Sequence, residues 1–127
     1  MTLPQRARVE ATPNFLAGLE AARQFFFEQD GETAEARMNR LKAKLREMVA
    51  ILAWSPGCGR PARFMTPRSA QAKVRLAAIR ELARQSGLPE LREYVIDPHI
   101  VLYAHSDREV VLLAIKHQRQ LIYTPAE

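Results

Sequence analysis

Residues 91–117 read LREYVIDPHIVLYAHSDREVVLLAIKH, and their patterning decides the fold. Three runs in this stretch are rich in β-branched and aromatic residues: LREYVI (91–96), HIVLYAH (99–105) and VVLLAIKH (110–117). Such runs predict strands. Asp97-Pro98 alone separates the first two, and Ser106-Asp107-Arg108-Glu109 the last two. Links this short leave no room for a crossover, so consecutive strands must be antiparallel and form a meander. The second and third runs are apolar at odd and even positions alike, so both faces of the sheet must be covered. Helices elsewhere in the chain can cover one face. The other needs the segment 69–86, a second copy of the chain, or a partner.

Upstream, RARVEA (6–11) alternates Ala7, Val9 and Ala11 with charged residues and predicts a half-buried strand. Thr12-Pro13 follows as a helix start, a hydroxyl to cap free amides and a proline where its missing N–H costs nothing. Phe15, Leu19, Ala22 and Phe26 recur at helical spacing, and Leu16 and Phe27 widen that stripe. Gly31 is a natural stop. Thr33 can cap a second helix whose apolar positions are Ala34, Met38, Leu41, Leu45, Met48 and Leu52. These step by four and three, so the helix is long, amphipathic, and folded back on the first as an antiparallel hairpin. It should end near Trp54, before the two glycines and two prolines of SPGCGRP (55–61). A third helix is predicted over about 69–86. Lys73, Ala77, Arg80 and Arg84 share one of its faces, and Leu76, Ile79, Leu82 and Ala83 another. The basic face is either a solvated surface or a ridge for an acidic partner.

The 127 residues suit one α+β domain burying roughly two-thirds of its unfolded surface. No run approaches the ~20 apolar residues that span a bilayer, and the N-terminus has no apolar leader, so a cytoplasmic protein with no membrane partner is expected. The net charge of +5 suits an acidic partner such as nucleic acid, ribosome or an acidic protein.

No cofactor or metal is expected. The single cysteine, Cys58, excludes an internal disulfide and a cysteine-rich metal site. His99 and His105 lie six apart in one strand, on the same face but some 20 Å apart at ~3.3 Å per residue, too far to share an ion. Cys58 lies in a turn with no base nearby in sequence. There is no glycine-rich phosphate loop and no nucleophile elbow. What remains is the polar end of the last strand. His117 could act as base or acid, Lys116 and Arg119 could hold phosphate, and Tyr103 and Tyr123 could stack on a base, as RNA cleavage without metal requires. The same residues also end many ordinary strands.

The order of these segments resembles the RelE/ParE family of bacterial toxins from type II toxin–antitoxin (plasmid stabilisation) modules, over about residues 6–123. The resemblance rests on Thr12-Pro13, on Gly59-Arg60-Pro61, on Arg92-Glu93-Tyr94-Val95-Ile96, and on the tail AIKHQRQ (114–120). It implies an N-terminal strand and an antiparallel helical hairpin across a twisted antiparallel sheet, growth inhibition, and a cognate antitoxin as partner. DNA would be contacted only through that antitoxin. The ribosome-dependent messenger RNA endonucleases of the RelE branch use an arginine in the central strand, and here that position is Ile100. Arg119 matches a second, later arginine of those enzymes. The ParE branch, whose members poison DNA gyrase without catalysing a reaction, fits better. A member serving only as antitoxin co-repressor is the third alternative. Candidate target- or antitoxin-binding residues are then Arg60, Arg92, Tyr94, Lys116, His117 and Arg119, in segments that carry the resemblance, and Lys73, Arg80 and Arg84 on the basic face of the third helix. The chain departs from the family in an inserted helical segment, about 66–88.

Overall fold

The computed structural model describes residues 6–62 and 68–119. The chain runs β1 (Arg8–Ala11), α1 (Pro13–Gln29), α2 (Ala34–Trp54), a 3-10 turn (Pro56–Cys58), β2 (Arg60–Pro61), α3 (Ala70–Gln85), β3 (Glu90–Val95), β4 (His99–His105) and β5 (Glu109–His117). The strands form one sheet in the order β1-β5-β4-β3-β2. The β3–β4–β5 meander is antiparallel, as its short links require. The sheet as a whole is mixed, because β1 lies parallel to β5, pairing Arg8 with Glu109 through Ala11 with Leu112. Nearly a hundred residues separate these two strands, so no short link dictates their direction. Strand β2 was not foreseen, since two residues carry no periodicity. It pairs Arg60 with Glu93 and Pro61 with Arg92.

Helix α1 starts as its sequence prescribes, with the Thr12 hydroxyl accepting from Phe15 N at 3.1 Å and Pro13 in the first turn. It buries Phe15 and Phe26 and half-buries Leu19 and Ala22. Leu16 and Phe27, expected in the same stripe, are instead 54% and 47% exposed. Each follows a buried phenylalanine and so lies about 100° around the helix from it, and the Arg23 guanidinium covers the Phe27 ring at 5.3 Å. All six apolar positions of α2 are buried. Thr33 stands at its N-cap, yet its backbone is helical and its side chain makes no capping bond.

The hairpin covers one face of the sheet. Phe15, Met48 and Leu52 pack there with Val101, Tyr103, Val110 and Leu112. On the opposite face Ile79 of α3 packs against Ile100, Leu102, Ala104, Leu113 and Ala114, flanked by Leu82 and Ala83. The third helix is therefore the second cover, and β4 is buried at every position. Burying Leu76 and Ile79 contributes about 1.5–3 kcal/mol each. Ser69 caps α3 through Ala72 N, and Gly87, at φ +71°, ends it in the left-handed conformation.

A β-bulge interrupts the β4–β5 ladder. Leu102 faces Ala114 but Tyr103 faces Leu112, so Leu113 is the extra residue. The bulge turns Leu113 and Ala114 toward α3 together. It also leaves carbonyls in need of donors. Thr12 supplies its hydroxyl within 2.9 Å of Leu112 O and 3.2 Å of Leu113 O, and Asn14 Nδ2 donates to Leu113 O at 2.8 Å. The Thr12-Pro13-Asn14 corner thus starts α1 and clamps β5.

Candidate functional site

Strand alternation divides the polar end of β5 between the two faces of the sheet. Lys116 pairs across the ladder with Ile100 on the face that α3 covers. It is only 9% exposed, so it does not belong to the exposed part of the polar strand end. Burial holds its amine below the usual lysine range, Arg60 adds to that depression, and the Glu93 carboxylate opposes it. Glu93 is itself 2% exposed, and Arg60 Nε donates to it at 3.3 Å. Arg60, Glu93 and Lys116 are therefore one compensated charge cluster. Glu93 was missed as a site residue. Its signal was legible, since it alternates with Leu91 and Val95 on one side of its strand.

His117 turns to the other face, where its ring meets His99 edge to face with centroids 5.4 Å apart. The backbone N–H of exposed Arg119 donates to His117 Nδ1 at 3.1 Å, which places the proton of the neutral ring on Nε2. His99 is buried, and its pKa is pushed down to about 4. Burial is the main cause, followed by the positive charges of His117, Arg37 and Lys44. Gln120 and Tyr123 lie outside the described residues.

Tyr103, Arg92 and His105 form a lock on the 55–61 loop. The Tyr103 hydroxyl donates to Pro56 O at 2.7 Å and accepts from Gly59 N at 3.0 Å. Arg92 Nη1 donates to Gly59 O at 2.9 Å, and its Nε to His105 Nε2 at 3.2 Å. A Cβ on Gly59 would stand 2.6 Å from both the Tyr103 hydroxyl and Glu93 O, which is why that position is glycine. Tyr103 is fully buried, so it has no face for a base, and its hydroxyl already serves the loop. Arg92 is half-buried in the same lock, and Tyr94 packs half-buried against the hairpin-side core. In the fold Tyr103 and Arg92 hold the loop, and Tyr94 packs on the core.

A groove of about 370 Å³ is lined by Ala11, Phe15, Leu19, Leu45, Val49 and Leu112, with Lys42 and Arg46 on it. On α3, Lys73, Ala77, Arg80 and Arg84 form an exposed line, with Arg84 bonded to Glu81.

The family model that describes the ParE toxin of the type II toxin-antitoxin system parDE matches residues 9–122. The chain belongs to the ParE toxin family. Among solved structures eight chains match it, including one from the chromosomal ParDE TA system of P. aeruginosa. That match has 16% identity and a TM-score of 0.53, and covers 96% of this chain and 98% of the other, a likeness of fold. No curated protein matches the sequence. Membership makes this ParE-family protein a toxin component and implies a cognate antitoxin as its partner. Among the described residues, no helix is long and apolar enough to cross a membrane.

Proposed function

We propose that this ParE-family toxin arrests growth by binding DNA gyrase, and that an antitoxin segment lying in the groove between α1 and α2 neutralises it. The observation that carries the binding reading is the division of the β5 end. RNA cleavage needs an acid–base group and a phosphate-holding cation around one phosphate. Here His117 and Lys116 point to opposite faces, Lys116 is compensated by Glu93, and Tyr103 is sequestered. Ile100 stands where the endonuclease branch has its arginine. Binding through a surface needs none of these groups assembled. The groove suits an amphipathic segment, its apolar floor taking side chains and Lys42 and Arg46 pairing with acids.

The test is supercoiling by purified gyrase with increasing toxin, beside a translating extract probed for message cleavage. The expected outcome is inhibited supercoiling or trapped cleavage complexes with intact message. Normal supercoiling at saturating toxin would sink the gyrase reading, and cleaved message would establish the endonuclease. For the groove, charge reversal at Lys42 and Arg46 should weaken antitoxin binding by at least about tenfold. Undiminished binding would place the antitoxin elsewhere.

A further inference from the structure

At the end of the sheet where β4 begins and β5 ends, four rings meet in series. Phe25 stands 6.5 Å from Phe26, Phe26 stands 6.1 Å from His99, and His99 stands 5.4 Å from His117, all edge to face. Phe25 is half exposed. Cations reach this row from α2 and from the end of β5. Arg37 lies over the Phe26 ring at 4.5 Å, Lys44 donates to the Asp97 carbonyl at 2.6 Å, and exposed Arg119 follows His117. His99 is 5% exposed and its Nδ1 has no hydrogen-bond partner among the described residues. Among the described residues, the charges that hold its pKa down are positive, from His117, Arg37 and Lys44. The exposed carboxylate of Asp97, in the neighbouring turn, is not among the charges that shift it.

Cations brought to one end of the molecule repel one another, and a bound anion relieves that repulsion. We propose that this tip is a docking surface for a carboxylate-rich segment of the partner protein, held by Arg37, Lys44, His117 and Arg119 beside the exposed Phe25 ring. The proposal rests on the antitoxin reading, which supplies a protein occupant, and extends it to a second contact. At 3.6 residues per turn, Arg37 and Lys44 lie about half a turn around α2 from Lys42 and Arg46. A partner that fills the groove and reaches the tip therefore grips both flanks of α2. Carboxylates suit the tip because each cation there is a separate side chain on its own backbone, able to pair singly with acids along a flexible segment. The aromatic face offers apolar contact between those pairs.

The experiment follows the His99 and His117 ring resonances of the full chain by NMR, titrating an octaglutamate peptide, inorganic phosphate or a short DNA duplex in low salt. Saturable movement of both rings with octaglutamate is expected, together with a rise of about one pH unit in the His99 midpoint. The surface double variant Arg37→Gln/Lys44→Gln should bind the peptide at least about tenfold more weakly. Rings that do not move with octaglutamate, or a variant that binds it as tightly as wild type, would overturn the proposal. So would a duplex that binds more tightly than the peptide, or phosphate alone reproducing the effect. Loss of antitoxin binding in the groove variant with no effect at the tip would remove this inference and leave the antitoxin reading standing.

Discussion

His99 couples the stability of the fold to pH. In the unfolded chain a histidine titrates near 6.5, whereas in the fold burial and three neighbouring cations hold this ring near 4. Above pH 6.5 the ring is neutral in both states and carries no penalty. As pH falls through 6.5 the unfolded chain takes up a proton that the fold refuses, so stability declines by about 1.4 kcal/mol per pH unit. The loss levels off near pH 4, at roughly 3–4 kcal/mol. Denaturant unfolding between pH 7 and 4 should show this slope, and His99→Phe should flatten it while keeping the edge-to-face stack on Phe26. The 55–61 loop offers a second measurement at this scale. Tyr103→Phe removes one donor and one acceptor and should cost about 1–3 kcal/mol. Gly59→Ala should cost more, because one of the three atoms its Cβ would strike is backbone. If thermal melts rank the two variants the other way, the loop is more pliant than its hydrogen bonds imply.

The helices show which parts of an element can be read from its own sequence. The α2 stripe was legible to the last residue, because a long helix lying over a sheet needs one apolar row and Ala34 to Leu52 supply it at helical spacing. The α1 stripe was read too wide. Leu16 and Phe27 have the right chemistry, but α1 is gripped by α2 on one side and β5 on another, and its outer side faces water. The role of α3 was legible only as a requirement: the apolar β4 and β5 demanded a second cover without saying whether it came from this chain. Ile79 is where that cover seats, so Ile79→Ala should destabilise the protein by about 2–5 kcal/mol. Exchange of the α3 amides should accelerate more than that of α2, since α3 seats on the sheet through Ile79 while α2 is held by both α1 and the sheet. Equal acceleration in both helices would mean that α3 and the hairpin unfold as one unit.

Across the whole molecule the excess of positive charge is distributed over the groove, the tip and the α3 line rather than confined to one site. Such a surface steers acidic partners, and steering is screened within about 8–10 Å at physiological salt. Association with an acidic antitoxin should therefore slow markedly between 50 mM and 500 mM salt while dissociation changes little. Stopped-flow measurement checks this, and a rate independent of salt would mean that apolar contact in the groove controls encounter. Lys73→Glu and Arg80→Glu separate the α3 line from the rest. If both leave association and growth inhibition unchanged, that line is a solvated face.

Periodicity and link lengths alone were enough to determine the order of every element but β2, the antiparallel meander and the α2 core row. Those features depend on residues a few positions apart, where the 3.6 and 2.0 periods and the lengths of links act directly. The tertiary structure decided that β1 runs parallel to β5, that a bulge at Leu113 is clamped by Thr12 and Asn14, and that Tyr103 holds the 55–61 loop. It also decided that Lys116 joins Glu93 and Arg60 while His117 joins His99, Arg37 and Lys44. Each of these depends on register or packing between residues distant in the chain. No local pattern carries that information, because the energy that selects it comes from contacts formed only once the sheet has closed.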